Sequence, residues 1–185
     1  LIALFNGIIR ILFNYKVEGL ENLPQDGAYI LACNHRTMWD PIFIACAVKR
    51  RCSFIAKIEF FKNKLIAKLF TWLGAFPVDR GAADMAALDK AVNDIKSGKP
   101  FVIFPEGTRT KTGKLGRGKS GVAIIAGNTN ADLVPVAICY DGKLRFRKKV
   151  TLKFGPIIPF EDFQITDNDR KQIRSAVKKI MSEIA

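Results

Sequence analysis

What constrains this chain most is a series of short apolar, β-branched runs separated by stretches with helical spacing. Tyr29-Ile30-Leu31-Ala32-Cys33, Phe54-Ile55-Ala56, Ala75–Arg80, Phe101-Val102-Ile103-Phe104, Leu133–Tyr140 and Val150–Phe154 read as strands. A run that is apolar at every position needs cover on both faces, which is the condition of a parallel sheet between helices. Helices are predicted over Pro41–Val48, Ile58–Leu73 and Val122–Ala126, from a cap at Asp84 to Lys96 with Gly98 as its stop, and from about Asp167 onward. The alternation predicts an α/β fold: one three-layer domain over residues 1–185, a mixed, mostly parallel central sheet flanked by helices. With 49% hydrophobic and 25% charged residues, the chain has the composition of a globular domain with a sizeable core. It shows no internal repeat, low-complexity run or linker.

The first chemical feature is Asn34-His35-Arg36-Thr37-Met38-Trp39-Asp40, which holds the only histidine. An imidazole, with an ordinary pKa of about 6.5, can take a proton from an alcohol near neutral pH if a partner fixes its tautomer. Asp40 lies five residues on, and on an ideal helix that spacing separates the two side chains. They meet only if the segment is a turn. Ile30 to Cys33 ends a strand, and Asp40-Pro41 reads as an N-cap followed by proline at the first helical position, so His35 falls on the strand-to-helix connection. Asp40 thus has two readings, as partner of His35 or as a helix cap.

Thirty Lys and Arg against seventeen Asp and Glu give a net charge of +13, which implies an anionic partner: nucleic acid, an anionic membrane surface, or phosphorylated and acidic carrier substrates. Cys33, Cys46, Cys52 and Cys139 lack CxxC spacing and are expected to be reduced. The chain begins at Leu1 rather than Met, and residues are expected to precede it. As a helix, Leu1–Phe13 would extend roughly 20 Å, short of the roughly 30 Å of a bilayer core. It fits either a membrane-interfacial helix or a buried terminal one, and not a secretory signal. Ile58–Leu73 reads as a basic amphipathic helix, with Phe61, Leu65, Leu69 and Trp72 on one side and Lys62, Lys64 and Lys68 between them, suited to the core or to a membrane.

The second chemical feature follows the Phe101–Phe104 strand. Pro105-Glu106-Gly107-Thr108-Arg109-Thr110 falls beyond the carboxyl end of a strand, where open α/β sheets bind ligands. Arg109 offers a planar fork for a phosphate, Thr108 a hydroxyl, and Gly107 close approach of backbone amides. Arg80 ends the preceding strand. Glu106 would repel a phosphate, and reads instead as orienting an arginine or bonding a glycerol hydroxyl.

Asn-His-x-x-x-x-Asp resembles the first signature of the glycerolipid acyltransferases. Phe104-Pro105-Glu106-Gly107-Thr108-Arg109 is similar to the most specific signature of the 1-acylglycerol-3-phosphate (lysophosphatidate) acyltransferase family. Gly74-Ala75-Phe76-Pro77-Val78-Asp79-Arg80-Gly81 looks like its second block and Val134-Pro135-Val136-Ala137-Ile138 like its fourth. These blocks span residues 34 to 138 in the family's order. The resemblance implies a glycerolipid acyltransferase-like fold. It also implies transfer of a fatty acyl group from acyl carrier protein or coenzyme A to the sn-2 hydroxyl of lysophosphatidate, giving phosphatidate at the cytoplasmic membrane face. His35 and Asp40 match the catalytic pair, while Arg80, Glu106, Gly107 and Arg109 match acceptor-binding positions. Lys57 resembles a recurrent lysine near the site, and Asn34, Thr37 and Thr108 are grouped with the substrate-binding residues. Thr37 replaces the serine of many members and keeps the hydroxyl. No metal and no resident cofactor are expected. Another lysophospholipid or glycerol-3-phosphate is the alternative acceptor.

One competing pattern is present. Gly113-Lys114-Leu115-Gly116-Arg117-Gly118-Lys119-Ser120 satisfies G-x-x-x-x-G-K-S. A P-loop springs directly from a strand, whereas Pro105 to Thr112 intervene here, so this stretch reads as a flexible basic lip leading to the next helix. A nucleic-acid module would set exposed aromatics beside its lysines, and most of the fourteen Phe sit in apolar runs, so nucleic acid is not an expected partner. The Gly-x-Ser-x-Gly elbow of serine hydrolases is absent. The expected mechanism is direct general-base catalysis by His35, held by Asp40, with backbone amides after His35 as oxyanion donors.

Overall fold

The computed structural model describes residues 2–48, 50–78, 85–110, 112–166 and 169–185. Seven strands form one sheet: β1 (Asn14–Glu18), β2 (Ile30–Cys33), β3 (Ser53–Lys57), β4 (Ala75–Val78), β5 (Phe101–Ile103), β6 (Leu133–Cys139) and β7 (Lys149–Phe154). Their order is β1-β7-β6-β2-β5-β3-β4. Only the β6–β7 pairing is antiparallel, the rest being parallel. The mixed, mostly parallel sheet expected from the apolar runs is the one found.

Among the described residues six helices cover it: α1 (Ile2–Leu12), α2 (Asp40–Ala47), α3 (Lys64–Leu73), α4 (Met85–Lys96), α5 (Gly121–Thr129) and α6 (Arg170–Ile184). Because successive strand residues point to opposite faces, β2 supplies Leu31 and Cys33 to one core and Ile30 and Ala32 to the other. The first core packs them against Ile9 of α1 and Phe43 and Ile44 of α2. The second packs them against Ala91 and Ile95 of α4, Val122 and Ala126 of α5, and Ile173 and Ile180 of α6. Each fully buried Leu, Ile or Phe contributes about 2 kcal/mol.

The structure corrects three boundaries. Residues 14–18, for which no strand is predicted, form β1, a parallel edge strand that buries Tyr15 and pairs with β7. The continuous helix expected over Ile58–Leu73 is divided into a 3-10 turn at Ile58–Phe61 and α3, because the Asn63 side chain accepts from the Leu65 and Ile66 amides and starts a new helix. Asp40 is the first helical residue rather than the N-cap, which is Trp39. The expected cap at Asp84, the strand end at Asp79–Arg80 and the final helix start at Asp167 lie outside the described residues.

Helix α1 is docked and exposed at once. Ile9 and Phe13 are buried, Phe13 meets Trp39 and Phe43 edge-on, and the Asn6 side-chain amide donates to Cys46 O. Ile8 and Ile11 face outward, as do Leu65, Ile66 and Leu69 of α3. Among the described residues no helix is long and apolar enough to cross a membrane.

Candidate active site

The carboxyl edges of β2 and β5 bring the two sequence constellations together. β2 ends at Cys33, and the turn from Asn34 to Trp39 carries the chain into α2. Asp40 folds back into that turn. Its Oδ2 lies 2.8 Å from His35 Nδ1 and accepts from the amides of Arg36 at 2.6 Å and Thr37 at 2.8 Å. Its Oδ1 accepts from the Thr37 hydroxyl at 2.7 Å. A fully buried carboxylate is tolerated only with such partners, and here it holds the turn and the imidazole together. With Nδ1–H donating to Asp40, Nε2 is the basic nitrogen.

The His35 ring stacks on Phe104, which follows β5, with centroids 4.1 Å apart. Its backbone is fixed on both sides. The His35 N–H donates to Glu106 Oε1 at 2.7 Å, and His35 O accepts from the Thr110 amide at 2.8 Å. Asn34 ties the turn to β6, its Nδ2 donating to Ile138 O and its Oδ1 accepting from Ile138 N–H. The imidazole is thus held at backbone, ring face and Nδ1, an arrangement that would suit a general base.

Several residues act differently from the sequence expectation. Glu106, buried, pairs with no arginine among the described residues: its Oε2 accepts from the Gly116 amide at 2.7 Å while Oε1 holds His35. It joins the His35 turn to the Gly/Lys loop. The Arg36 and Thr37 amides, expected as oxyanion donors, are both taken by Asp40. The Thr37 hydroxyl is likewise committed to Asp40, and it also accepts from the Trp39 amide. The loop from 105 to 120 is tied at Thr110, at Gly116 and by the Lys119 amide to Pro105 O, rather than cradled on a strand as a P-loop is.

Two cavities meet here. One, of about 270 Å³, is lined by His35 and by apolar side chains that include Phe54, Ala56, Phe60, Phe70 and Phe104, with Lys57, Thr108 and Arg109 at its polar end. Lys57 pairs with Glu59 at 2.7 Å. Gly107 has φ +67°, a left-handed conformation strained for most residues with a side chain, so the bend favours glycine. The second cavity, of about 820 Å³, shares Met38 and Arg109 with the first and is otherwise walled by the turn, by Phe13, by Thr110, Thr112 and Gly113, and by the β6–β7 hairpin. Arg36 and the hairpin residues were missed by the sequence reading. Their signal was available in the arginine inside the His–Asp spacing and in the Lys143 and Arg145 that follow the Asp141-Gly142 turn. Arg80 lies outside the described residues.

Cys33 and Cys52 are disfavoured as nucleophiles. Burial pushes the Cys33 thiol well up and that of Cys52 up to about 12, leaving neither as thiolate near neutral pH.

The chain resembles known proteins over most of its length. Residues 14–139 match the family model described as Acyltransferase. The chain is 31% identical over 178 residues to a 1-acyl-sn-glycerol-3-phosphate acyltransferase of Streptococcus pneumoniae, covering 92% of this chain and 64% of that relative. It is 34% identical over 152 residues to the Bacillus subtilis protein of the same name, covering 80% of this chain and 75% of the relative. Of a chloroplastic relative from Arabidopsis thaliana it spans 38%. The crystal structure of the 1-acyl-sn-glycerophosphate acyltransferase from Thermotoga maritima superposes with a TM-score of 0.74 at 27% identity, covering 98% of this chain and 78% of that one.

Proposed function

The chain belongs to the acyltransferase family, and from that membership we propose that it transfers a fatty acyl group from a thioester donor, acyl carrier protein or coenzyme A, to the sn-2 hydroxyl of lysophosphatidate, giving phosphatidate. The observation that carries the reading is the His35–Asp40 contact at the mouth of an apolar cavity. His35 Nε2 takes the proton of the acceptor hydroxyl as its oxygen attacks the thioester carbonyl. Asp40 holds Nδ1–H and faces the imidazolium that forms. Collapse of the tetrahedral intermediate expels the thiolate, which recovers the proton from His35, and no acyl-enzyme is formed. Arg109, at the rim shared by the two cavities, binds the acceptor phosphate, and the ring-lined cavity takes an acyl chain. The relatives' names support lysophosphatidate over another lysophospholipid or glycerol-3-phosphate.

The exposed apolar side chains of α1 and α3, beside Lys64 and Lys68, are suited to the cytoplasmic face of an anionic membrane, where the protein docks peripherally. Cosedimentation with anionic vesicles should fall with salt, and Leu65→Ser with Leu69→Ser should weaken it further. A protein left in the supernatant at low salt would remove the membrane from the account. Mass spectrometry of lipids after incubation with lysophosphatidate and an acyl thioester tests the reaction: phosphatidate is the expected product, and its absence with both donors would refute the reading.

A further inference from the structure

The larger cavity beside the catalytic turn is basic on three sides. Arg36 comes from the turn, Arg109 from the loop after β5, and Lys143 and Arg145 from the β6–β7 hairpin, and no carboxylate is among the described residues that line it. Arg36 is set in place rather than left as a loose surface cation. Its guanidinium lies over the Tyr140 ring, 3.7 Å from the centroid, and donates to Tyr140 O at 2.6 Å. A Cβ at Gly113 would stand 2.9 Å from Arg36 Nη2, so the loop closes over the guanidinium with φ +78° at the one residue that has no side chain to obstruct it. Of the five N–H donors of an arginine, most are left for a ligand.

Resting on the acyl-transfer reading, we propose that this cavity binds the phosphate of the donor's phosphopantetheine arm, a group common to coenzyme A and acyl carrier proteins. The choice of donor over acceptor follows from reach. In lysophosphatidate the phosphate and the reacting hydroxyl are on neighbouring carbons, so the phosphate must sit beside His35. A donor's phosphate is separated from its thioester by the whole pantetheine arm. His35 lines the small apolar cavity and not this one, whereas Arg36 and Thr37, just past it, do line it. A volume of about 820 Å³ also exceeds what a glycerol phosphate fills and suits an extended arm. Met38 and Arg109, shared by both cavities, mark where the thioester would pass from one to the other.

The test is steady-state kinetics of Lys143→Ala with Arg145→Ala, two exposed hairpin residues whose removal leaves the sheet intact. Four donors of one acyl chain are compared: acyl-coenzyme A, acyl carrier protein, acyl-phosphopantetheine and acyl-pantetheine. The KM of all three phosphorylated donors should rise about tenfold or more, from the loss of charge-assisted hydrogen bonds. That of acyl-pantetheine and of lysophosphatidate should stay within about twofold. A raised lysophosphatidate KM with unchanged donor KM would give the cavity to the acceptor and overturn the proposal, as would an equal loss with acyl-pantetheine. A loss confined to acyl-coenzyme A, or to the carrier protein, would also overturn it, assigning the cations to the nucleotide phosphates or to the carrier's acidic surface. Equilibrium dialysis of free coenzyme A against both proteins needs no turnover. Weaker binding by the variant would therefore support the site even if lysophosphatidate proved not to be the acceptor.

Discussion

Asp40 stands at the carboxyl edge of the sheet and Asp94 at the amino edge, each buried and each bonded through both oxygens. Asp94 accepts from the Ser53 hydroxyl at 2.7 Å, from Lys90 Nζ at 2.6 Å and from Lys99 Nζ at 2.9 Å. Ser53 opens β3 and Lys99 lies just before β5, so this cluster pins α4 to the sheet at the edge away from His35. Burial would push the Asp94 carboxyl up, but the hydrogen bonds from Lys90, Ser53 and Lys99 outweigh it and hold it at about 2. Its charge is already matched by two permanent cations. Asp40 has two backbone amides, one hydroxyl and a histidine, and the histidine alone among these partners can gain charge. The difference separates a structural carboxylate from one that can answer a proton arriving on its neighbour.

If that contrast is right, changes at the two edges should fail in different ways. The largest effect is expected at the base. His35→Ala should lower kcat by roughly 10²- to 10⁴-fold while the thermal midpoint stays close to wild type. Near-normal turnover in a folded variant would remove His35 from the chemistry. Glu106→Gln comes next. The amide can accept from one of the two N–H groups but sets its own NH₂ against the other, costing on the order of 1–3 kcal/mol. Both kcat and the melting temperature should fall, and a change in acceptor KM alone would return Glu106 to the role of substrate ligand. Arg109→Lys keeps the charge and loses the fork, so the acceptor KM should rise about tenfold with kcat little changed.

The smallest effect on activity is expected at the opposite edge. Asp94→Asn should leave kcat within about twofold and cost on the order of 2 kcal/mol of stability at pH 7. The folded carboxyl titrates at about 2 against an ordinary 3.8. A depressed pKa contributes stability above the unfolded value that is lost as pH falls through the folded one. The gap in melting temperature between wild type and Asp94→Asn should therefore close between about pH 4 and pH 2. A gap that stayed constant across that window would show that the ion cluster adds nothing through its charge.

The contrast also explains what could be read from the chain. The apolar runs gave the sheet because Leu31, Val102 and Val134 are buried whatever the detail of the loops. The His–Asp spacing pointed to a turn because five residues do not align on a helix. β1 was missed because Asn14-Tyr15-Lys16-Val17-Glu18 is a half-polar edge strand whose identity depends on β7, distant in sequence. The break before α3 rests on one side chain, that of Asn63. The ties of Glu106 were not legible because they run to backbone amides of residues 35 and 116, and backbone donors leave no trace in a sequence. Asp94 drew no notice for a related reason: only folding brings Ser53 to it.

The central claim is that Asp40 acts through His35, and a double-mutant cycle on kcat measures that directly. His35→Ala, Asp40→Asn and the double variant are compared in folded protein at one pH. If the carboxylate serves only to hold and answer the imidazole, the double variant should be no slower than His35→Ala by more than about threefold, since residues that act as a unit are far from additive. Losses that multiply, so that the double variant is slower than His35→Ala by the full factor of Asp40→Asn, would contradict the account and give Asp40 a separate task.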